Sequence, residues 1–236
     1  MTTLDLQLQR QGVSSSETVS VTVDRIANCG WTGRNEEELR KHIEELEEEG
    51  IEAPDEFPVI YPKPYHLITT SDDIEVLSAE TSGEAEFVLF PQEKTDEVYV
   101  GVGSDHTDRE METESIVVAK GLCPNVVGEN LWVLDDIIDH WDQIELRSWT
   151  GSDGERVLYQ DATLEAILSP ADLFDLVEEK TTEPTKHTAV FSGSVGTETG
   201  DLIHGDFFEV ELHDPVLDRT MRAEYDVSRL GWVVDD

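Results

Sequence analysis

The stretch Ser82-Gly83-Glu84-Ala85-Glu86-Phe87-Val88-Leu89-Phe90 decides how the chain is read. Two acids at i and i+2 follow a turn-like Ser-Gly and run straight into four apolar residues. Side chains alternate along a strand, so Glu84 and Glu86 project to the same side of a sheet, where the strand enters a core. Two like charges side by side are costly unless a cation lies between them. The same pattern also describes an ordinary solvated strand face in an acidic chain, so the pair gains meaning only from its company.

That company is downstream. Gly101-Val102-Gly103-Ser104-Asp105-His106-Thr107-Asp108-Arg109 gathers two Gly, two Asp, a His and an Arg at the end of a second strand pattern. Asp105 would add a third oxygen for a hard cation, and Arg109 could hold a substrate carboxylate through its fork. A polar turn with the arginine paired to local acids fits the same letters. Lysines are few. Lys120 closes the apolar run Ile116-Val117-Val118-Ala119, which is too short to assign as helix or strand by periodicity. Lys63 lies inside Pro58–Pro64, a segment its prolines keep extended. Both lysines read as pocket residues, or as stems snorkelling from a core edge. Phe191-Ser192-Gly193-Ser194-Val195-Gly196-Thr197 is small enough for close backbone approach to a ligand, though a plain turn accounts for it equally. It lacks the lysine and the spacing of a phosphate loop.

Upstream, Leu4 to Leu8 and Val19 to Val23 alternate with period two across a turn-like segment, which predicts a β-hairpin. Asn35-Glu36-Glu37-Glu38 has the form of a helix start, and the helix should reach about Glu49, with Gly50 as its stop. Leu39, Ile43 and Leu46 mark its apolar face, with His42 on that face and Glu45 three residues on. Ser169-Pro170-Ala171-Asp172 starts another helix that should end near Lys180. Strand patterns cover residues 143–150, 156–159 and much of 189–227. The expected class is a β-rich α+β fold, with a small hairpin-and-helix lobe at 1–57 and the main domain at 58–236.

Charge is the other loud feature: 54 Asp and Glu oppose 16 Lys and Arg, a net charge of −38 spread through every segment. Dispersed acid around a retained core reads as adaptation to high salt, pointing to a halophilic archaeon; an acidic nucleic-acid mimic is the alternative. Binding nucleic acid directly is excluded, since clustered Lys and Arg are needed to neutralise phosphates. Cys29 and Cys123 have no metal-like spacing and no disulfide framework, which fits a reducing compartment. There is no apolar run near the ~20 residues of a membrane span, and the opening MTTLDLQLQRQG carries no signal region. A soluble cytoplasmic protein is expected.

The order of these clusters resembles the fumarylacetoacetate hydrolase family from about Gly33 to Val227. The H-x-x-E of His42 and Glu45, the proline stretch with Lys63, Glu84-Ala-Glu86-Phe-Val-Leu, Ser104-Asp105-His-Thr-Asp-Arg109, Lys120 before Cys123-Pro124, and Phe191-Ser-Gly-Ser194 follow one another as in that family. Departures include about one extra helical turn ahead of His42 and the missing Asp after Lys120, which marks an outlying branch. The resemblance implies a mixed β-roll with flanking helices, usually dimeric. It makes Glu84, Glu86 and Asp105 ligands of Mg²⁺ or Mn²⁺, and His42, Glu45 and Lys120 catalytic groups. Arg109, Ser194 and Lys63 would bind substrate. The implied reaction cleaves a C–C bond of a 2-keto or 1,3-dicarbonyl acid through a metal-stabilised enolate, as hydrolase or lyase. Decarboxylation, keto–enol tautomerisation and non-catalytic ligand binding are the alternatives on the same scaffold.

Overall fold

The two period-two segments become β1 (Thr2–Gln9) and β2 (Glu17–Val23), and a third strand, β3 (Arg25–Gly30), follows without alternating. The computed structural model describes residues 1–35, 37, 54, 56–182 and 185–232. Four strands lead up to the acidic stretch: β4 (Val59–Lys63), β5 (Ile68–Thr69), β6 (Asp73–Val76) and β7 (Thr81–Ser82). Next come β8 (Ala85–Pro91), β9 (Val98–Asp105) and β10 (Thr107–Asp108). Two short helices follow, α1 (Arg109–Glu112) and α2 (Ile116–Leu122), capped by the side chains of Asp108 and Ser115. The apolar run that periodicity leaves open is therefore helical, with Ser115 accepting from Val118 N.

The remaining strands are β11 (Asn125–Val127), β12 (Asn130–Val133), β13 (Glu145–Gly151), β14 (Val157–Thr163), β15 (Thr188–Phe191), β16 (Phe207–Asp214) and β17 (Arg219–Arg229). Between β14 and β15 lies α3 (Pro170–Lys180), the helix expected from its Ser-Pro start; Ser169 and Asp172 form its capping box. At the other expected start, Asn35 Oδ1 accepts from Glu37 N at 3.1 Å. Beyond Glu37, the helix anticipated to reach Glu49 lies outside the described residues, and so do His42 and Glu45.

Among the described residues, two mixed sheets and a two-stranded antiparallel pair, β7 with β10, make the fold, as the β-rich α+β reading expects. The larger runs β2-β1-β12-β9-β8-β15-β3-β4, with β11 bridging β9 to β5 beside that path. Strands β1 and β12 pair in parallel, as do β15 and β3, whereas β8 and β9 are antiparallel. The three strands from residues 2–30 thus belong to the same sheet as β8 and β9. The second sheet runs β14-β13-β16-β17-β6.

Alternation along β8 and β9 divides two cores. Phe87, Leu89, Val100 and Val102 pack with Val210, Leu212 and Tyr225 of the second sheet. Val88, Phe90 and Tyr99 face the other way, onto Leu4, Leu6, Leu8 and Val21 of the N-terminal hairpin. Each fully buried side chain of this size contributes about 1.5–3 kcal/mol, against about 0–1 for an exposed ion pair. The cores, not the abundant surface acids, hold the fold. No helix among the described residues is long and apolar enough to cross a membrane.

Candidate metal centre

The β8–β9 ladder sets Glu86 opposite Gly103 and Ala85 opposite Ser104. Just past its end, Asp105 N donates to Glu84 O at 3.2 Å. Glu84, Glu86 and Asp105 are thereby delivered together, and one carboxylate oxygen from each lies within 4.8 Å of the others. By alternation they share the face of Val88, Phe90 and Tyr99, whereas Ser104 and His106 point to the opposite face, toward β17. Glu86 and Asp105 are buried at 1 % and 0 % exposure, and Glu84, with a side chain 21 % exposed, forms the opening.

Three cations surround the acids. Lys120, on α2, donates to Glu84 Oε2 at 2.8 Å and to Asp105 Oδ2 at 2.7 Å. Lys63, at the end of β4, donates to Asp105 Oδ1 at 2.7 Å and to Asn125 Oδ1; Asn125 in turn donates to Asn28 Oδ1 at 2.8 Å. Arg109 donates from Nη2 to Glu84 at 3.1 Å, from Nε to Ser82 Oγ at 2.7 Å and from Nη1 to Glu112 at 2.8 Å. A buried carboxylate left unpaired costs several kcal/mol, and these contacts offset that cost at Asp105 and Glu84.

Among the described residues, no cation contacts Glu86 directly. Its Oε2 accepts the backbone N–H of Gly193 at 2.8 Å. Gly193 is at φ +82°, and a Cβ there would lie 2.3 Å from Thr32 Oγ1 and 2.8 Å from Cys29 O, so only glycine fits. Gln160 ties the same turn to β8: its Oε1 accepts from Ala85 N at 3.0 Å, and its Nε2 donates to Ser194 Oγ at 2.7 Å and Val195 O at 2.6 Å. Ser194 Oγ donates onward to Ala85 O at 3.2 Å.

Glu84 and Glu86 are shifted in opposite directions. Burial pushes the Glu84 carboxyl up, but Lys120 and Arg109 outweigh it and hold the group down at about 2. Burial raises Glu86 well above the usual carboxylate range, and the neighbouring Asp105 and Glu84 charges push the same way. Burial favours neutral Lys120, yet Asp105, Glu84 and Glu86 reverse this and keep its ammonium protonated. His106 is pushed down to about 3, first by burial and then by Arg109 and Lys63, so its ring is neutral. The donor set is all oxygen, as Mg²⁺ or Mn²⁺ prefers, and a doubly charged cation would offset the mutual repulsion with Asp105 and Glu84 that helps push Glu86 up.

The structure brings together Glu84, Glu86, Asp105, Lys120, Arg109 and Lys63. Ser194 joins them only through the turn that carries Gly193. Arg109, Ser194 and Lys63 all have protein partners, and the Lys63 side chain is fully buried behind Asp105. His106 falls inside the Gly101–Arg109 cluster with no role that its sequence context marks, and Asn28, Asn125, Gln160 and Tyr225 belong to no motif. Each is a single polar residue on or beside a strand, with no local pattern to mark it.

The DUF2848 family, described as a protein of unknown function, matches residues 29–225. No curated protein matches the sequence. Among solved structures, Cg1458 matches with a TM-score of 0.63 at 15 % identity, covering 93 % of this chain and 83 % of that one. A 2-keto-3-deoxy-D-arabinonate dehydratase complexed with magnesium and 2,5-dioxopentanoate matches with a TM-score of 0.62 at 11 % identity, covering 92 % of this chain and 78 % of its own. The yeast protein ynq8, of the fumarylacetoacetate hydrolase family, matches with a TM-score of 0.59 at 16 % identity, covering 88 % and 94 %. At these identities the likeness is one of fold, and the fold is fumarylacetoacetate-hydrolase-like.

Proposed function

We propose that this chain, which belongs to the DUF2848 family, is a divalent-metal-dependent enzyme acting on a 2-keto or 1,3-dicarbonyl acid, as a lyase or hydrolase of a C–C bond. The observation that carries the reading is the meeting of Glu84, Glu86 and Asp105, three buried or half-buried oxygen donors within 4.8 Å of one another. The dehydratase of like fold, solved with magnesium and a dicarbonyl acid, supports the same substrate class.

Glu84, Glu86 and Asp105 would hold magnesium or manganese, which supplies a Lewis acid for the oxygen on which negative charge develops. Lys120 adds a fixed positive charge beside that oxygen. Two of its N–H groups are engaged with Glu84 and Asp105; the third rests on Thr107 Oγ1 at 3.5 Å and is the one free to turn to a substrate oxygen. Arg109 and Lys63 act behind the ligands: the first orients Glu84, the second fixes Asp105 from its far oxygen. Where the reaction is hydrolytic, His42 and Glu45 would take the proton of the attacking water, a role implied by the resemblance of their H-x-x-E to that of the fumarylacetoacetate hydrolase family. His42→Ala would then abolish hydrolysis and spare decarboxylation.

The test is calorimetric titration of Mn²⁺ and Mg²⁺ into the chain in high salt, beside Glu84→Gln and Glu86→Gln. Loss of binding in both variants, with parallel loss of turnover on oxaloacetate or an acylpyruvate, supports the reading. Unchanged binding in both removes it.

A further inference from the structure

Beside the proposed metal ligands, β3 contributes a polar side chain that the chemistry above leaves unused. Asn28 is fully buried. Ladder pairing sets it opposite Phe191 on β15 and Tyr61 on β4, and Phe191 in turn pairs with Val88, two residues on from Glu86. Directly paired residues share a face, so Asn28 stands on the carboxylate side of the sheet, one row from Glu86. Its neighbour Tyr61 lies on the Lys120 side of that space: the ammonium is 5.9 Å from the centre of the Tyr61 ring.

Which end of the Asn28 amide is engaged follows from a donor with no alternative role. Lys63 bonds Asp105 and Asn125, and an ammonium can only donate, so the Asn125 atom facing it is oxygen. The other end of Asn125 is therefore its NH₂ group, which donates to Asn28 Oδ1 at 2.8 Å. Asn28 must then turn its own NH₂ group away from Asn125. An amide flip at either residue would set donor against donor. Although buried, Asn28 Nδ2 has no hydrogen-bond partner among the described residues. Three other buried atoms share that condition. Trp141 Nε1 and Tyr159 Oη belong to the core on the opposite face, and the Arg219 guanidinium stacks on Trp132. Asn28 is the one on the carboxylate face. Buried donors are nearly always satisfied, and leaving one without an acceptor is costly, so an orphan beside a charged centre marks a place for a ligand oxygen.

We infer that Asn28 is a further substrate-binding residue: its NH₂ group donates to a negatively charged oxygen, carboxylate or enolate, of the acid held at the metal centre. This rests on the metal-centre reading above and narrows it to ligands with an anionic oxygen directed toward β3. Lys63 sets the direction of the amide through Asn125, so the lysine that neutralises Asp105 also fixes which atom meets the substrate. Away from water, a hydrogen bond to a charged oxygen is strengthened.

Oxalate, whose two carboxylates stand in for the keto acid, is the probe, titrated by calorimetry into the full chain loaded with Mn²⁺ in high salt. Two variants separate donation from packing. Asn28→Ser removes the amide; Asn28→Asp keeps an acceptor for Asn125 and puts an oxygen where the NH₂ group stood. Oxalate affinity should fall about tenfold in Asn28→Ser and further in Asn28→Asp, while Mn²⁺ affinity in Asn28→Ser stays within about threefold of wild type. A residue that only supports Asn125 would give the reverse order, with Asn28→Asp the milder change, and that order overturns the inference. So does unchanged oxalate affinity in both. Should neither variant fold, the wild type decides. With nitrogen-15 in its asparagines, oxalate added alongside Mg²⁺ should move the Asn28 side-chain NH₂ proton signals downfield, and signals that stay in place overturn the proposal. A wild-type chain that binds no Mn²⁺ would instead sink the metal-centre reading, and the response of the Asn28 signals to oxalate alone would still judge the amide.

Discussion

The backbone N–H of Gly193 donates to Oε2 of Glu86 at 2.8 Å, so a turn after β15 steers a carboxylate on β8 more than 100 residues away in sequence. Among the described contacts of the site, this is the one that orients Glu86.

Gly193→Ala should therefore harm both stability and metal binding. The new Cβ would meet Thr32 Oγ1 and Cys29 O at a φ of +82°, which L side chains rarely adopt. A destabilisation of about 1–3 kcal/mol is expected by urea denaturation, together with weaker Mn²⁺ binding. Ala substituted at Gly196, where a Cβ meets nothing within 4 Å, is the control and should change neither.

Metal binding should strengthen as pH rises. Glu86 is held above its ordinary range by burial and by Asp105 and Glu84, so a cation must displace its proton. Glu86→Gln should flatten this dependence and lower the affinity. In a chelator, the raised Glu86 makes the folded state bind more protons than the unfolded chain above the usual carboxylate range, so its contribution to stability declines with rising pH. Glu84 works in the opposite sense: its depressed group contributes stability above about 4.5 that is lost as pH falls toward about 2. Chemical denaturation across pH, with and without Mg²⁺, resolves the two.

Lys120→Met separates binding from turnover. Removing an ammonium 2.7–2.8 Å from two of the proposed ligands relieves repulsion of a bound cation, so Mn²⁺ should bind more tightly. Loss of the same charge beside the reacting oxygen should lower kcat by roughly 10²–10³. A variant that binds metal more weakly and keeps its turnover would contradict both assignments.

The charge of −38 leads to a salt prediction. Screening shortens from about 10 Å at 0.1 M to about 3 Å at 1 M salt, so self-repulsion fades over that range. The thermal midpoint should rise steadily in KCl toward molar concentrations. An equal rise in sucrose of matched osmolarity would point to general solute exclusion instead.

The parts of this molecule legible in its sequence are those with short-range pattern. The period-two segments become β1 and β2, the Ser-Pro-Ala-Asp start becomes α3, and the E-x-E spacing does put two acids on one side of an extended segment. Asp105 could be matched to them because the order of clusters, rather than any single one, was informative. Pairing was not legible. Nothing local tells that Arg109 turns onto Glu84, or that Lys63 runs under Asp105 to Asn125, because those partners come from different strands. Nor could the four residues of Ile116–Ala119 choose helix over strand without the Ser115 cap and the packing of α2 against β4 and β10.

Lys63 and Lys120 each take one oxygen of Asp105, so the most deeply buried of the three clustered acids brings its own counter-ions into the fold. On the proposed metal-binding reading, the polypeptide should therefore complete its architecture first and take up a cation afterwards. A chelator should then strip that cation while the scaffold stands.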